Sequence, residues 1–269
     1  MTTAVINPVQ QQGSSDGGDQ RCNVLGVRIS AVNLDLAAAR IESWIQSREP
    51  NYVCITGVHG VMESQDNPQL KAIHNAAGMV TPDGMPMVWA NRLAGNAHVR
   101  RVYGPDLMLK VCGEGVAKGY RHFFYGGGEG VADLLKQKLT EKFPGLQVVG
   151  TYCPPFRKMT DDEDRALVEQ INATNADIVW VGLSTPKQEN WMSAHVGKLS
   201  APVMVGVGAA FDFHAGLKKQ APAFMQKIGM EWFFRLVTEP GRLWKRYLKN
   251  NPRFVWHFTL QKLGLKRYE

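Results

Sequence analysis

Cysteine is scarce in this sequence, and its spacing argues against two classes of protein. Only four of the 269 residues are cysteine, and none of them forms a Cys-x-x-Cys pair. Neither a disulfide-stapled fold nor a cysteine zinc site is indicated. The seven histidines include no His-Glu-x-x-His or His-x-x-x-His spacing, so we also expect no metal site built on histidine pairs.

Long apolar runs and nucleophile motifs are missing as well. No stretch reaches the roughly 18 apolar residues that a membrane-spanning helix needs. The N-terminus has neither the basic start nor the apolar centre of a signal peptide, which predicts a cytoplasmic protein. Residues 1–21 are rich in Gln, Gly, Ser and Asp and are predicted to be a disordered tail. The absence of Gly-x-Ser-x-Gly argues against an α/β-hydrolase.

Positive charge is present, and it is concentrated at one end of the chain. The net charge is +7, and residues 227–269 contain ten Lys or Arg against three Asp or Glu, so this end carries the whole excess. Three tryptophans, Trp232, Trp244 and Trp256, are spread among these bases. A solvated face of a structural helix, a helix on an anionic membrane and a nucleic-acid surface all have this composition, and we favour the membrane.

Helical patterns fill this basic segment. We predict one helix over residues 223–237, a second over 242–250 and a third that begins after Pro252. Residues 220–269 are therefore predicted to be a basic, amphipathic, helical appendage that associates with a membrane.

Short apolar runs alternate with helical patterns through residues 22–219. The predicted strands lie near residues 52–56, 78–80, 122–125, 147–152, 177–182 and 202–206, and residues 24–32 have the character of a short strand or hairpin. This alternation predicts an α/β domain, a Rossmann-like and mostly parallel sheet with helices on both faces.

One strand-to-helix turn has candidate catalytic residues around it. Asp83 lies in a Thr-Pro-Asp-Gly sequence that ends a strand and precedes a helix, at the rim where α/β folds bind ligands. Asp83 either makes the turn or acts on a ligand. Arg100 and Arg101 follow in the same unit, and a carboxylate beside guanidinium groups has the composition of a base with an anion clamp.

A glycine-rich turn is the second candidate. Gly126, Gly127 and Gly128 follow a strand and precede a helix, which suits either a phosphate cradle or a tight turn. His59 is the one histidine at a strand-end turn. The acidic run 161–164 is interpreted as the start of a helix rather than a metal site, because consecutive helical residues point in different directions.

Five motifs in order resemble those of the WecG/TagA/CpsF glycosyltransferases. They are TPDGMPMVWA at 81–90, RVYGPDLM at 101–108, GLSTPKQENW at 182–191, GVGAAFDFHAG at 206–216 and the EW…RL…EPGRLWKRYL pattern at 231–248. The resemblance implies an inverting, metal-independent enzyme without a cofactor. Such an enzyme moves a sugar from a UDP-sugar to a polyprenyl-diphosphate-linked saccharide for exopolysaccharide, capsule or another surface polysaccharide.

The resemblance also implies roles for individual residues. Asp83 matches the general base of the family, and Thr56 matches its strand-end catalytic threonine. Arg101 matches the family's anion-binding arginine and Gln188 its Pro-Lys-Gln-Glu glutamine, so both are expected to bind substrate. His59, Gly126, Gly127, Gly128 and Asp212 are further candidates for substrate binding. This sequence departs from the family at Val58, where asparagine is common, and at Gln220, where arginine is frequent before Ala-Pro.

The family's C-terminal segment implies a peripheral position at the inner face of the plasma membrane. Arg235, Arg242 and Arg246 match its basic positions, which are expected to contact membrane or acceptor. A homo-oligomer is compatible with the resemblance, and nucleic acid is not an expected partner. The alternatives are a nucleotide-sugar dehydrogenase or epimerase, whose Gly-x-Gly-x-x-Gly and Tyr-x-x-x-Lys motifs are missing, and a basic nucleic-acid-binding protein.

Overall fold

The structure is a computed structural model that describes residues 20–227 and 229–269, apart from the side chains of Ala223, Lys227 and Arg242. The predicted disorder of residues 1–19 lies outside the described residues. The strands are β1 (Arg21–Val24), β2 (Val27–Ser30), β3 (Asn51–Thr56), β4 (Met79–Pro82), β5 (Arg121–Gly126), β6 (Gln147–Tyr152), β7 (Ile178–Gly182) and β8 (Val203–Gly206). The helices are α1 (Leu34–Ser47), α2 (Val58–Asp66), α3 (Pro68–Ala76), α4 (Met85–Leu93), α5 (Gly104–Lys118), α6 (Val131–Lys142), α7 (Asp161–Ala173), α8 (Lys187–His195), α9 (Ala210–His214), α10 (Ala223–Lys227), α11 (Glu231–Thr238) and α12 (Pro240–Lys262).

The main sheet of the described part is parallel throughout. Its strand order is β4-β3-β8-β7-β5-β6, and every neighbouring pair is parallel. The hairpin β1-β2 is a separate antiparallel pair. These observations confirm the predicted α/β, Rossmann-like fold. β1 begins at Arg21, inside the tail predicted for residues 1–21, because the Arg21 guanidinium donates to the carbonyls of Ala77 and Gly78 at 2.7 and 2.9 Å.

Helices cover both faces of this sheet, so its strands are largely buried on both sides, except the edge strand β6, which is only partly buried. Val203 and Val205 of β8 point into one core with α1, α5, α6 and α9, whereas Met204 points into the other. The second core contains side chains from the hairpin, α2, α3, α4, α7, α8 and α12. Burial of each large apolar side chain contributes about 1.5–3 kcal/mol, which explains why the strands consist almost wholly of such residues.

The C-terminal segment differs from its prediction at two places. The single helix predicted over residues 223–237 is wrong, because α10 ends at Lys227 and α11 begins at Glu231. Gly229 between them has a φ of +78°, which a right-handed helix does not accommodate. Among the described residues, no helix has both the length and the apolar character to cross a membrane.

The predicted break at Pro252 is also wrong. α12 continues through Pro252, although proline removes a helical hydrogen bond at a cost of about 3 kcal/mol. Contacts on both sides of the proline offset that cost. Asn250 and Phe254 are buried, and the Arg253 guanidinium binds both carboxylate oxygens of Asp66 at 2.6 and 3.0 Å.

The far end of the C-terminal segment is fastened to the hairpin. The backbone N–H of Leu25 donates to the side-chain oxygen of Gln261 at 3.1 Å, and the Asn23 amide donates to the carbonyl of Tyr268 at 2.8 Å. α12 is therefore held to the core near its middle and at its C-terminal end. α11, which precedes it in the chain, has no buried residue.

Candidate active site

A cleft of about 1230 Å³ lies above the carboxyl ends of the parallel strands. Its floor is formed by residues that follow β3, β4, β5, β7 and β8, and its other wall is formed by α11 and α12. Ligands of open α/β sheets bind at this edge, because loops and helix N-termini meet there. The cleft therefore brings strand-end residues together with the C-terminal segment.

Asp83 lies on the floor of this cleft, directly after β4. Its backbone N–H donates to the carbonyl of Thr56 at 3.0 Å, which fixes the turn against β3. Gly57 permits this contact, since a Cβ there would lie 2.8 Å from the backbone oxygen of Asp83. The Asp83 side chain is 30% exposed, so its carboxylate is held at the rim and remains accessible.

Arg101 lies beside Asp83 and is surrounded by partners. Its Nε is 3.3 Å from Oδ1 of Asp83, its Nη2 donates to a carboxylate oxygen of Glu231, and its Nη1 is 3.4 Å from Oε1 of Gln226. The guanidinium carbon lies 4.0 Å from the centre of the Tyr103 ring, a cation–π contact. The base and the anion clamp predicted from the sequence are therefore in direct contact.

The groups around this ion pair have shifted pKa values. Burial raises the pKa of Glu231, and the neighbouring Arg101 opposes that rise. Burial, with the nearby Glu231 and Asp83 carboxylates, raises the pKa of the Tyr103 hydroxyl well above its usual range. Burial also raises the pKa of Asp106, and Asp83 adds to this effect while Arg101 opposes it. Three carboxylates thus share the field of one guanidinium group.

Thr56 lies at the end of β3 and is almost fully buried. Its hydroxyl oxygen has no hydrogen-bond partner among the described residues. A buried hydroxyl without a partner costs about 1–3 kcal/mol, so it points to a function or to a ligand group that satisfies it.

Gln188 follows β7 and is likewise buried, with its amide orientation fixed by a neighbour. Its Nε2 donates to Oε1 of Glu189 at 3.1 Å, and the Thr185 hydroxyl donates to the same oxygen at 2.9 Å. The amide oxygen of Gln188 has no partner among the described residues. Burial raises the pKa of Glu189. Gln188 therefore has a free acceptor at the floor of the cleft.

The glycine turn after β5 divides into two parts. Gly126 packs against β7, where a Cβ would lie 2.7 Å from the carbonyl of Gly182, so its absence of a side chain serves strand packing. Gly127 and Gly128 line the cleft, whereas Gly126 is not among its described lining residues. Asp212 also lines the cleft and forms an ion pair with Lys218 at 2.6 Å.

Comparison with known proteins agrees with this arrangement. Residues 22–268 match the Glycosyl transferase WecG/TagA/CpsF family. The chain belongs to this family. It is therefore a glycosyltransferase, which confirms the resemblance and leaves no place for the dehydrogenase or epimerase alternative.

Two curated relatives carry the same name, N-acetylglucosaminyldiphosphoundecaprenol N-acetyl-beta-D-mannosaminyltransferase. The protein of Bacillus spizizenii strain W23 is 32% identical over 193 residues, which covers 72% of each chain. The protein of Bacillus subtilis strain 168 is 29% identical over 227 residues, which covers 80% of this chain and 85% of the relative.

His59 connects the strand-end turn after β3 to the C-terminal segment of this WecG/TagA/CpsF glycosyltransferase. Its Nδ1 lies 3.1 Å from the side-chain nitrogen of Asn250 on α12. Burial, together with the charges of Arg246 and Lys249, lowers the pKa of His59 to about 4. The imidazole is therefore neutral at pH 7 and joins α2 to α12, next to Val58.

Two of the three predicted arginines of the C-terminal segment, Arg235 and Arg246, lie in the cleft. Arg235 lines the cleft with its guanidinium carbon 5.9 Å from the Phe213 ring, and its buried Nε has no hydrogen-bond partner among the described residues. Arg246 lines the cleft as well. The side chain of Arg242 lies outside the described residues, so its role stays a prediction.

Several cleft residues of this glycosyltransferase were not predicted. Glu231 contacts Arg101 from a distance of 130 residues along the chain. The indole of Trp191 stacks between Tyr125 and His195, at centroid distances of 4.1 and 4.3 Å, and its buried N–H has no partner among the described residues. Their positions within the motifs could have identified both residues. Glu231 is the first residue of the last of the five motifs, and Trp191 is the last residue of the third.

Metal-binding side chains are not grouped in the described part of the chain. No three histidine, cysteine, aspartate or glutamate residues there are arranged to hold a metal ion. The acidic run at 161–164 forms the first turn of α7, where the Thr160 hydroxyl accepts from the N–H of Glu163 at 3.2 Å. Interpretation of this run as a helix start is confirmed.

Proposed function

We propose that the chain transfers a sugar from a UDP-sugar to a hydroxyl of a polyprenyl-diphosphate-linked saccharide, with Asp83 as the general base. The observation that carries this proposal is the position of Asp83, a partly exposed carboxylate on the floor of the cleft, 3.3 Å from Arg101. Both curated relatives are named for transfer to an N-acetylglucosaminyl-diphospho-undecaprenol. The proposed acceptor is a lipid of this class, and the first donor to test is UDP-N-acetylmannosamine.

The proposed reaction is a single displacement. The Asp83 carboxylate takes the proton of the acceptor hydroxyl as that oxygen attacks the anomeric carbon of the donor sugar. A new carbon–oxygen bond forms on one face, while the bond to the diphosphate breaks on the other and its electron pair leaves with UDP. The configuration at the anomeric carbon is inverted. The carboxylate must lie within about 3 Å of the hydroxyl for this proton transfer.

Cationic and uncharged groups of the cleft have complementary roles in the proposal. Arg101 and Arg235 offset the negative charge that develops on the departing diphosphate. The amide oxygen of Gln188, which lines the cleft, is buried and lacks a partner among the described residues, which suits it to hydrogen-bond a sugar hydroxyl or amide group. The Thr56 hydroxyl is also buried without such a partner, although Thr56 itself is not among the described lining residues and its neighbour Gly57 is. Metal independence remains part of the proposal and needs its own test.

The acceptor lipid implies work at a membrane surface, and the C-terminal segment has the composition for it. Trp244, Leu248 and Val255 of α12 are 46%, 67% and 64% exposed, and they lie at helical spacing on one side. Exposed apolar side chains among lysines and arginines are typical of interfacial helices on anionic lipid. We therefore infer a peripheral position at the inner face of the membrane, in assembly of a surface polysaccharide.

A transfer screen tests this function. Purified protein is mixed with a panel of UDP-sugars, with and without a short-chain polyprenyl diphosphate N-acetylglucosamine, and UDP release is followed with EDTA present. Release with one donor, dependent on the lipid acceptor and indifferent to EDTA, is the expected result. Release that EDTA abolishes would contradict metal independence, and release that ignores the acceptor would contradict the proposed transfer.

A further inference from the structure

Each nitrogen of the Arg101 guanidinium already has a partner within the protein. Each of its three nitrogens faces a side-chain oxygen, from Asp83, Glu231 and Gln226, and its face is stacked on Tyr103. Its side chain is only 15% exposed. A phosphate oxygen that approaches this guanidinium therefore competes with the oxygens already bound to it.

Glu231 is the charged partner that lies on the more loosely packed element. Asp83 is fixed by the turn after β4, whereas Glu231 is the first residue of α11, a helix with no buried residue. Gln226 makes a longer contact of 3.4 Å and carries no charge. The Glu231 carboxylate is 13% exposed and lines the cleft, so it occupies space that is open to a ligand.

The charges around Arg101 also favour the departure of Glu231 when a diphosphate binds. Asp83 and Glu231 face Arg101, and Arg235 lies one helical turn after Glu231 on α11. A diphosphate added beside both carboxylates would meet strong like-charge repulsion. Departure of Glu231 removes one negative charge and frees the Arg101 Nη2 donor that it now occupies. The buried Nε of Arg235, which has no hydrogen-bond partner among the described residues, is a second donor in the same region.

We propose that Glu231 is an internal counter-ion of the anion site, and that its carboxylate and a substrate diphosphate compete for Arg101. Binding of the diphosphate breaks the Glu231–Arg101 ion pair and releases the first turn of α11 from the floor of the cleft. The inference rests on the proposed function in one respect, because it assigns Arg101 to a diphosphate. It adds that the affinity for that diphosphate is set by a residue of the C-terminal segment.

The test compares binding of inorganic pyrophosphate and of UDP by isothermal titration. The variants are Glu231→Gln, Glu231→Asp and, as a matched loss of one carboxylate, Glu169→Gln on the exposed side of α7. Loss of the competing charge is expected to tighten pyrophosphate and UDP binding about tenfold in Glu231→Gln. Glu231→Asp keeps the charge but shortens its reach, so a gain of about threefold is expected. Glu169→Gln should bind like the wild type.

A double-variant cycle shows whether the gain passes through Arg101. In an Arg101→Gln background, Glu231→Gln should give a clearly smaller gain, because only the like-charge repulsion between Glu231 and the diphosphate is then relieved. Thermal melts confirm folding of each variant, and Glu231→Asp carries the test if Glu231→Gln is unstable.

The outcomes separate the inference from the proposed function. Equal pyrophosphate affinity in wild type and both Glu231 variants overturns the inference, as does the absence of pyrophosphate binding in all of them. A gain for pyrophosphate without any preference for UDP supports the counter-ion and contradicts the UDP-sugar donor. Tight UDP binding that is unchanged in the Glu231 variants supports the donor and overturns the counter-ion.

Discussion

The side chains of Asp83 and Arg101 form an ion pair at the rim of the sheet, with Nε of Arg101 3.3 Å from Oδ1 of Asp83. This contact sets the direction of the carboxylate. The proposed base is therefore oriented by the residue that is proposed to bind the diphosphate.

Substitution of Asp83 by Asn should abolish transfer. Asn keeps the size and the hydrogen bond to Arg101 but cannot take the acceptor proton, so we expect a loss of about 100- to 10,000-fold in kcat. Circular dichroism and the melting temperature should stay close to those of the wild type. Transfer at the wild-type rate would exclude Asp83 as the base.

Substitution of Gly57 by Ala should reduce activity through the position of Asp83. The new Cβ would lie 2.8 Å from the Asp83 backbone oxygen, so the turn must move by several tenths of an ångström. We expect a drop of about tenfold or more in kcat with a modest loss of stability. Gly241→Ala is the matched control, because a Cβ there meets nothing within 4 Å among the described atoms. Equal activity of the two variants would contradict the role of Gly57.

Replacement of Thr56 by Val should separate activity from stability. The hydroxyl is buried without a partner among the described residues, so its removal at constant shape should leave the free energy of unfolding unchanged or raise it by up to about 1–3 kcal/mol. Transfer should fall, and Thr56→Ser should retain most of it. Urea unfolding and transfer assays on both variants check this. A Val variant that is less stable and fully active would assign the hydroxyl a structural role.

His122 should make stability depend on pH below neutrality. Burial lowers its pKa from 6.5 to about 4, and its Nδ1 accepts the indole N–H of Trp180 at 3.0 Å. Between these pH values the unfolded chain binds more protons than the folded one, so this stability is complete above about pH 6.5 and is lost as pH falls towards 4. His122→Gln should flatten the dependence by about 1–3 kcal/mol over that window, measured by urea unfolding at several pH values. Parallel curves for variant and wild type would contradict this.

The C-terminal segment should bind anionic vesicles. Truncation before Lys227 should abolish co-sedimentation, and the double variant Trp244→Ser, Leu248→Ser should weaken it, more so at high salt. The double variant matters because truncation also removes the buried Phe254. Leu36→Ser, an exposed apolar position on α1, serves as control. If the truncated protein binds anionic vesicles as well as the full chain does, the segment has a structural role and not a membrane-binding one.

The fold was predictable because its signals are local. Apolar runs such as 202–206 are long enough for a buried strand and too short for a helix, and their alternation with helical patterns fixes a parallel sheet. The position of Asp83 followed from the same logic, since a turn after a strand lies at the rim. Membership of the family was predictable from motifs at 81–90 and 182–191, which bring strand-end residues to one cleft.

Other features depend on contacts that no local pattern contains. Glu231 on α11, the partner of Arg101, is 130 residues away in the chain. Its negative charge lies in a segment with a strong excess of positive charge, so composition alone gives no sign of its role. The helix through Pro252 persists because Arg253 binds Asp66 on α2, a tertiary contact that outweighs local propensity. Gly126 was predicted to cradle phosphate, yet its close approach to Gly182 already requires a glycine.

The fastening of Gln261 and Tyr268 to the hairpin determines how the cleft admits a large substrate. The C-terminal end of the segment is held to the hairpin by Gln261 and Tyr268. At its other end, Gly216 and Gly229, both with positive φ, flank the short helix α10, and we expect any bending of the segment there. We therefore expect any widening of the cleft on the side of α11, while the end at the hairpin stays in place. In the proposed reaction, the sugar end of the acceptor would enter through this side and its prenyl chain would remain outside the cleft.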